Sequence, residues 1–251
     1  MASLQPSTPR ERLIFALDVD RLDEAERYVK MLSSHVGVFK IGPRLFTSAG
    51  SLVFDLIHGM GGEIFLDLKF HDIPASVGAA AREVARQRVK MFTIHSLGGG
   101  RMVREVQQRL MESTLVPGMP PPLALAVTIL TSHSEEEVAE LGFDRPIVEQ
   151  AERLARIAVD NGAQGIVASG HELARLKAVL PESTIFVTPG IRDPSDQTAD
   201  QTRVMTAEQA VRAGATYIVV GRPIRDSRDP VGAAERIVEQ ITRATHDAPE
   251  A

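Results

Sequence analysis

Cysteine and tryptophan are absent from this chain of 251 residues, which contains only two tyrosines. Without cysteine the protein has no disulfide, no thiolate nucleophile and no Cys-ligated metal. No apolar run approaches the roughly 18 residues that a membrane-spanning helix needs, and residues 1–12 contain no apolar segment of the kind found in a secretory leader. We therefore expect a cytoplasmic protein that does not insert into a membrane.

An excess of basic residues is also lacking, since the net charge is −5. Proteins that bind nucleic acids usually carry a basic face, so we do not expect a nucleic-acid partner. An anionic small ligand remains compatible with this charge, because a few local cations can dominate a site. The length and composition predict one globular domain over residues 1–251, with frayed tails at 1–11 and 246–251.

Short apolar runs alternate with longer amphipathic segments along the chain. The predicted strands are 13–19, 36–42, 63–69, 91–96, 123–130, 163–169, 185–191 and 216–222. The predicted helices are 22–33, 44–58, 76–89, 100–113, 146–161, 172–179, 206–213 and 230–244. Apolar strands that alternate with helices indicate a parallel sheet covered by helices, and eight such units predict an α/β protein with a (β/α)8 barrel. An open doubly wound sheet is the alternative, but no G-x-G-x-x-G turn follows the first strand.

Charged residues collect near the carboxyl ends of the first three predicted strands, where a (β/α)8 barrel forms its active site. These residues are Asp18, Lys40, Asp67, Lys69 and Asp72. They could simply form salt bridges that tie the strands together. However, bringing so many charges to three neighbouring strands carries a desolvation cost that purely structural strands avoid. The pattern therefore favours a chemical role.

Lys69 is the candidate for the chemistry itself. Side chains alternate along a strand, so Asp67 and Lys69 are predicted to share one face of the third strand. Neighbouring carboxylates favour the charged form of a lysine, which makes Lys69 a proton donor and an electrostatic anchor. A Schiff-base lysine needs a desolvated site or a neighbouring cation. Lys40 partly supplies such a cation, so the residues alone leave that alternative open.

An anion site is predicted after strands seven and eight, where this fold commonly binds phosphate. Strand eight runs into Gly221 and Arg222. The glycine would let an anion approach the backbone closely, and the arginine guanidinium offers several hydrogen-bond donors in one plane. Arg192 and Gln201 belong to the polar segment 190–205 after strand seven and are expected to reach the same anion.

The histidines show no metal-binding spacing, and we expect no metal site. His71 lies beside Asp72, where a role in packing at the rim is favoured. His95 ends the fourth predicted strand and is expected to hold the adjoining loop.

Seven segments in order resemble the orotidine 5′-phosphate decarboxylase family over about residues 13–241. They are ALD (16–18), FKIG (39–42), DLKFHDIP (67–74), VTILTS (127–132), PGIR (189–192), DQTR (200–203) and VGRPI (220–224). The resemblance implies a barrel enzyme that decarboxylates orotidine 5′-phosphate to uridine 5′-phosphate without a cofactor, in de novo pyrimidine biosynthesis. It also implies a homodimer.

The resemblance assigns roles position by position. Lys69 would protonate C6 of the pyrimidine as carbon dioxide leaves, and Asp67 would face the substrate carboxylate. Asp72 would reach into the partner's site. The implied substrate-binding residues are Asp18 and Lys40 at the ribose, Ser76, Thr131 near the pyrimidine with Ser132 as second choice, and Arg192, Gln201, Gly221 and Arg222 at the phosphate.

The chain departs from the family pattern at Ala75, where the family commonly has asparagine, so the side-chain amide is missing at this position. A magnesium-dependent sugar-phosphate decarboxylase or aldolase with the same D-x-K-x-x-D strand is the nearest alternative. Such relatives have an acidic metal ligand at the end of strand two, where this chain has Lys40. A non-catalytic binding module would be expected to have lost part of the charged set, and none of it is missing.

Overall fold

A computed structural model describes residues 5–113, 120–192 and 205–246. Eight parallel strands are hydrogen-bonded in chain order and close into a barrel. They are Leu13–Ala16 (β1), Val38–Ile41 (β2), Glu63–Phe70 (β3), Met91–His95 (β4), Leu123–Val127 (β5), Gly165–Val167 (β6), Ile185–Thr188 (β7) and Tyr217–Val220 (β8). The closed order confirms the predicted (β/α)8 barrel and excludes the open sheet.

Helices follow the strands throughout the described residues. They are Leu22–Leu32 (α1), Pro43–Ala49 (α2), Leu52–Gly59 (α3), Pro74–Arg86 (α4), Gly99–Glu112 (α5), Glu135–Glu140 (α6), Ile147–Asp160 (α7), Leu173–Val179 (α8), Ala207–Ala213 (α9), Arg222–Arg225 (α10) and Pro230–His246 (α11). The prediction of a single helix over 44–58 is wrong, because the chain turns at Gly50 with φ +56°. The short helices α6 and α10 were not predicted.

The residues pack into two compact units. The first consists of residues 1–68 and 187–251. Within it, β1 pairs with β2 and β8, and every residue of β1 and β8 is buried. The helices α9 and α11 pack against each other. That the whole chain is one domain stays a prediction.

The second unit consists of residues 69–186. In it, β5 lies between β4 and β6, and α4 packs against α5. Helix α6 begins with a capping box, in which Ser134 accepts from the backbone N–H of Glu137 and the Glu137 carboxylate accepts from the N–H of Ser134. This cap orders the segment directly after Thr131.

The amino-terminal tail predicted over 1–11 ends in a hydrogen-bonded turn, and residues 1–4 and 247–251 of the two predicted tails lie outside the described residues. Arg10 to Arg12 are a 3-10 turn, and the Arg10 guanidinium donates to the carbonyl of Val36 at 3.0 Å. A Cβ atom on Gly37 would lie 2.5 Å from the Cα of Glu11, so only glycine allows this approach. No helix in the described part of the chain is long and apolar enough to cross a membrane.

Candidate active site

The Lys40 ammonium lies between two carboxylates in the first unit. Its Nζ is 3.1 Å from Asp18 Oδ1 and 3.7 Å from Asp67 Oδ2. The side chains of Lys40 and Asp67 are only 12% and 15% exposed, whereas that of Asp18 is 43% exposed. Three of the five predicted charged residues are therefore brought together at the carboxyl ends of β1, β2 and β3.

Two arginines that the sequence analysis missed hold the backbone of Asp18. The guanidinium groups of Arg44 and Arg225 donate to the Asp18 carbonyl at 3.3 and 3.1 Å. Arg44 also forms a bidentate pair with Asp20, and these hydrogen bonds lower the pKa of the Asp20 carboxyl. Both arginines lie within a few residues of the end of a predicted strand. This position alone could have indicated that they belong to the candidate site.

Two glycines border the ion-paired group. A Cβ atom on Gly42 would lie 3.4 Å from both Asp18 Oδ1 and Lys40 Nζ, so the small residue leaves this pair uncovered. A Cβ atom on Gly221 would lie 3.9 Å from Asp18 Oδ2. Both glycines therefore lie directly beside the charged group.

The predicted anion-binding residues follow β7 and β8 in the first unit. Arg192 is 7% exposed, and its backbone N–H donates to the Met205 carbonyl at 2.9 Å. Arg222 is the first residue of α10, directly after Gly221, and it is partly buried. Gln201 lies outside the described residues.

Lys69 has an unusual backbone conformation in the second unit. Its φ is +51°, and its backbone N–H donates to the Thr93 hydroxyl at 2.8 Å. Few residues other than glycine adopt positive φ, and such a residue departs from the pleated geometry on which the alternation argument depends. That all five charged residues form one array stays a prediction.

His71 and His95 stack in the second unit, with ring centroids 5.6 Å apart. The Nδ1 atom of His95 accepts from the Leu97 N–H at 3.3 Å, which confirms that this histidine holds the loop after β4. Burial lowers the pKa of His95 to about 4, and the charges of His71, Lys69 and His133 add to this effect. His95 is therefore neutral at physiological pH.

The remaining predicted residues of the second unit are exposed to solvent. Asp72, Ser76 and Thr131 are exposed, and Asp72 accepts from the backbone N–H of Ile73 at 2.6 Å. The Ile73 side chain is itself 66% exposed. Across residues 5–113, 120–192 and 205–246, no group of three or more histidines and carboxylates is placed to hold a metal ion.

Known proteins resemble the chain over almost its whole length. The model of the orotidine 5′-phosphate decarboxylase / HUMPS family matches residues 11–237. The orotidine 5′-phosphate decarboxylase of Syntrophotalea carbinolica is 47% identical over 95% of this chain and 98% of its own. That of Geobacter sulfurreducens is 44% identical over 92% of this chain and 96% of its own. The chain belongs to the orotidine 5′-phosphate decarboxylase / HUMPS family.

Solved structures of orotidine 5′-phosphate decarboxylases agree with this membership. The enzyme of Lactobacillus acidophilus has a TM-score of 0.80 at 35% identity, over 91% of this chain and 98% of its own. The enzyme of Pyrococcus horikoshii has a TM-score of 0.73 at 26% identity, over 92% of this chain and 99% of its own. The likeness includes residues of both compact units and supports the barrel described above.

Proposed function

We propose that this protein decarboxylates orotidine 5′-phosphate to uridine 5′-phosphate without a cofactor. The observation that carries the proposal is the Lys40 ammonium between Asp18 and Asp67. A metal-dependent sugar-phosphate relative needs an acidic ligand at that position. An ammonium there pairs with the available carboxylates and repels a divalent cation, so the decarboxylase is the better fit.

Lys69 is the proposed proton donor. When the bond between C6 and the carboxylate breaks, carbon dioxide leaves and the electron pair stays on C6. Transfer of a proton from Lys69 Nζ to C6 completes the product. A fixed ammonium stabilises the negative charge that develops on C6, and Asp67, two residues earlier on β3, is proposed to face the departing carboxylate and to raise the energy of the bound substrate.

The phosphate supplies the binding energy that offsets this unfavourable contact. Arg192, Arg222 and the backbone of Gly221 are the proposed phosphate ligands, together with Gln201. Asp18 and Lys40 are proposed to bind the ribose hydroxyls. The positions of Arg192 after β7 and of Arg222 after β8 support this assignment, because this fold commonly binds phosphate there.

The active protein is proposed to be a homodimer in which Asp72 enters the partner's site. The exposure of Asp72 and of its neighbour Ile73 supports this arrangement. Ser76, in the first turn of α4, would bind substrate from the same surface, and Thr131 would lie near the pyrimidine. The reaction belongs to pyrimidine nucleotide synthesis, for which we propose a cytoplasmic location.

Loss of orotidine 5′-phosphate absorbance in excess EDTA tests the reaction and its independence of metals. We expect fast loss with the wild type and almost none with Lys69→Ala. Lys177→Ala, which removes an exposed lysine on α8, is the matched control and should behave like the wild type.

A different result would support the activity of the metal-dependent relative. No loss of orotidine 5′-phosphate in EDTA, combined with turnover of a sugar phosphate after Mg²⁺ is added, would overturn the proposed function.

A further inference from the structure

Lys69 is held in a conformation that lysine rarely adopts. Its φ of +51° lies in the left-handed region, where the side chain crowds the backbone. Within the described residues, Arg88 is the one other non-glycine residue with positive φ. A strained conformation of this kind persists only where the surrounding structure enforces it.

The buried side chain of Thr93 supplies such a constraint. Thr93 lies in the middle of β4 and is fully buried, and its neighbours in sequence, Phe92 and Ile94, are buried apolar residues. Its Oγ1 accepts the Lys69 N–H at 2.8 Å, a short and well-formed hydrogen bond. Because Thr93 is β-branched and packed on all sides, its hydroxyl has little freedom to follow a displaced Lys69.

We propose that Thr93 is a positioning residue, which fixes the left-handed backbone of Lys69 and thereby the direction of the Lys69 side chain. The inference rests on the proposed function of Lys69 as proton donor. The backbone N–H of Lys69 needs an acceptor when it is shielded from water. If the hydroxyl is removed, the N–H loses this acceptor, and Lys69 is expected to relax towards an extended conformation in which the backbone is less strained.

The expected consequence is a loss of turnover with little change in substrate affinity. The proposed phosphate and ribose ligands belong to other strands and loops than Thr93. A displacement of about 1 Å in a reacting group costs on the order of 100-fold in rate. The kcat should therefore fall by this factor, while KM changes only slightly.

The experiment compares Thr93→Val, which keeps the shape and removes the acceptor, with Thr93→Ser, which keeps the hydroxyl. We expect a fall in kcat of about 100-fold for valine and near wild-type kcat for serine. Thr184→Val is the matched control, since Thr184 is also buried but lies just before the amino end of a different strand, β7. If the valine variant does not fold, Thr93→Ala is used instead, because it removes the same hydroxyl and introduces no larger group.

Crystal structures of the variants provide a second readout that does not depend on activity. We expect Lys69 to keep its positive φ in Thr93→Ser and to lose it in the variant without a hydroxyl. An active wild type whose Thr93→Val variant retains both kcat and the positive φ would overturn the inference alone. A wild type that does not decarboxylate orotidine 5′-phosphate would instead overturn the proposed function, and with it the proposed positioning role of Thr93.

Discussion

Lys40 is the residue on which the proposed choice between decarboxylation and a metal-dependent reaction rests. It is 12% exposed and has two carboxylate partners, of which Asp67 is also largely buried. Burial of these charges is costly unless each has a partner, and Lys40 partners both. The same ammonium removes the negative potential that a divalent cation would need, so one residue stabilises the site and restricts its chemistry.

Replacement of Lys40 by methionine should therefore weaken both catalysis and folding. We expect kcat/KM to fall by at least about 100-fold, since a fixed charge is lost beside the substrate. The free energy of unfolding should fall by about 1–2 kcal/mol, because Asp67 loses a partner in a partly buried site. Steady-state kinetics and urea denaturation measure the two effects, and an unchanged kcat/KM would contradict the assigned role.

His95 predicts how stability depends on pH. Its pKa is about 4 in the folded protein against an ordinary value of 6.5. His95 therefore binds a proton more readily in the unfolded chain than in the folded protein. Its contribution to the free energy of unfolding is fully present above pH 6.5 and is lost as the pH falls towards 4. The expected loss is on the order of 1–3 kcal/mol in the free energy of unfolding.

Urea denaturation at pH 7 and pH 5 measures this loss. His95→Gln should lose less stability than the wild type over that interval, because glutamine does not titrate. His171→Gln, at an exposed histidine, should lose as much as the wild type. Equal losses in the wild type and in His95→Gln would contradict the prediction.

At the scale of elements, sequence periodicity predicted where strands and helices lie better than where they end. The strand predicted over 123–130 ends at Val127, although Thr128 and Ile129 are also buried. Hydrophobicity reports burial, and the segments that leave a barrel strand stay buried after the pairing stops. The break at Gly50 depends on a positive φ, which composition does not reveal.

The sequence predicted those residues of the candidate site that are charged and lie at strand ends. Lys40 and its two carboxylates were found in this way and are confirmed as neighbours. Thr93 was missed because a threonine inside an apolar strand is common, and the conformation that makes it informative belongs to Lys69. Tertiary hydrogen bonds of this kind leave no periodic signal.

The backbone of β6 is closely packed at Gly165, with no room for a side chain. A Cβ atom there would lie 2.4 Å from the carbonyl oxygen of Ile185 and 2.9 Å from the side chain of Leu125. We expect Gly165→Ala to lower the free energy of unfolding by about 1–3 kcal/mol, as overpacking usually does. Gly59→Ala is the control, because nothing lies within 4 Å of its Cβ position at the end of α3.

Thermal or urea denaturation distinguishes the two glycine variants. The Gly59→Ala protein should be as stable as the wild type or more stable by up to about 1 kcal/mol, since alanine favours a helix over glycine. A Gly165→Ala protein of wild-type stability would contradict the packing described for β6.

At the scale of the whole molecule, the proposed dimer predicts complementation between two inactive variants. Lys69→Ala and Asp72→Ala should each be nearly inactive. In a mixed dimer, one site would combine an intact Lys69 with an intact Asp72 from the other subunit. After unfolding and refolding of an equal mixture, about a quarter of the sites should be active, if the subunits pair at random.

Activity of the refolded mixture, compared with each variant refolded alone, measures this complementation. Refolding the wild type in the same way gives the reference for full recovery. Activity no higher than that of the separate variants would show that Asp72 acts within its own subunit or is dispensable.

The backbone bonds beside Arg192 also bear on how this chain can change in length. Ile191 and Met205 form a parallel bridge, in which Arg192 donates to the Met205 carbonyl and Met205 donates to the Gly190 carbonyl. These bonds hold Arg192 and Met205 side by side, so an insertion or deletion between the two residues need not shift β7 or α9. Descendants of this protein can accordingly vary the number of residues here while the barrel keeps its register.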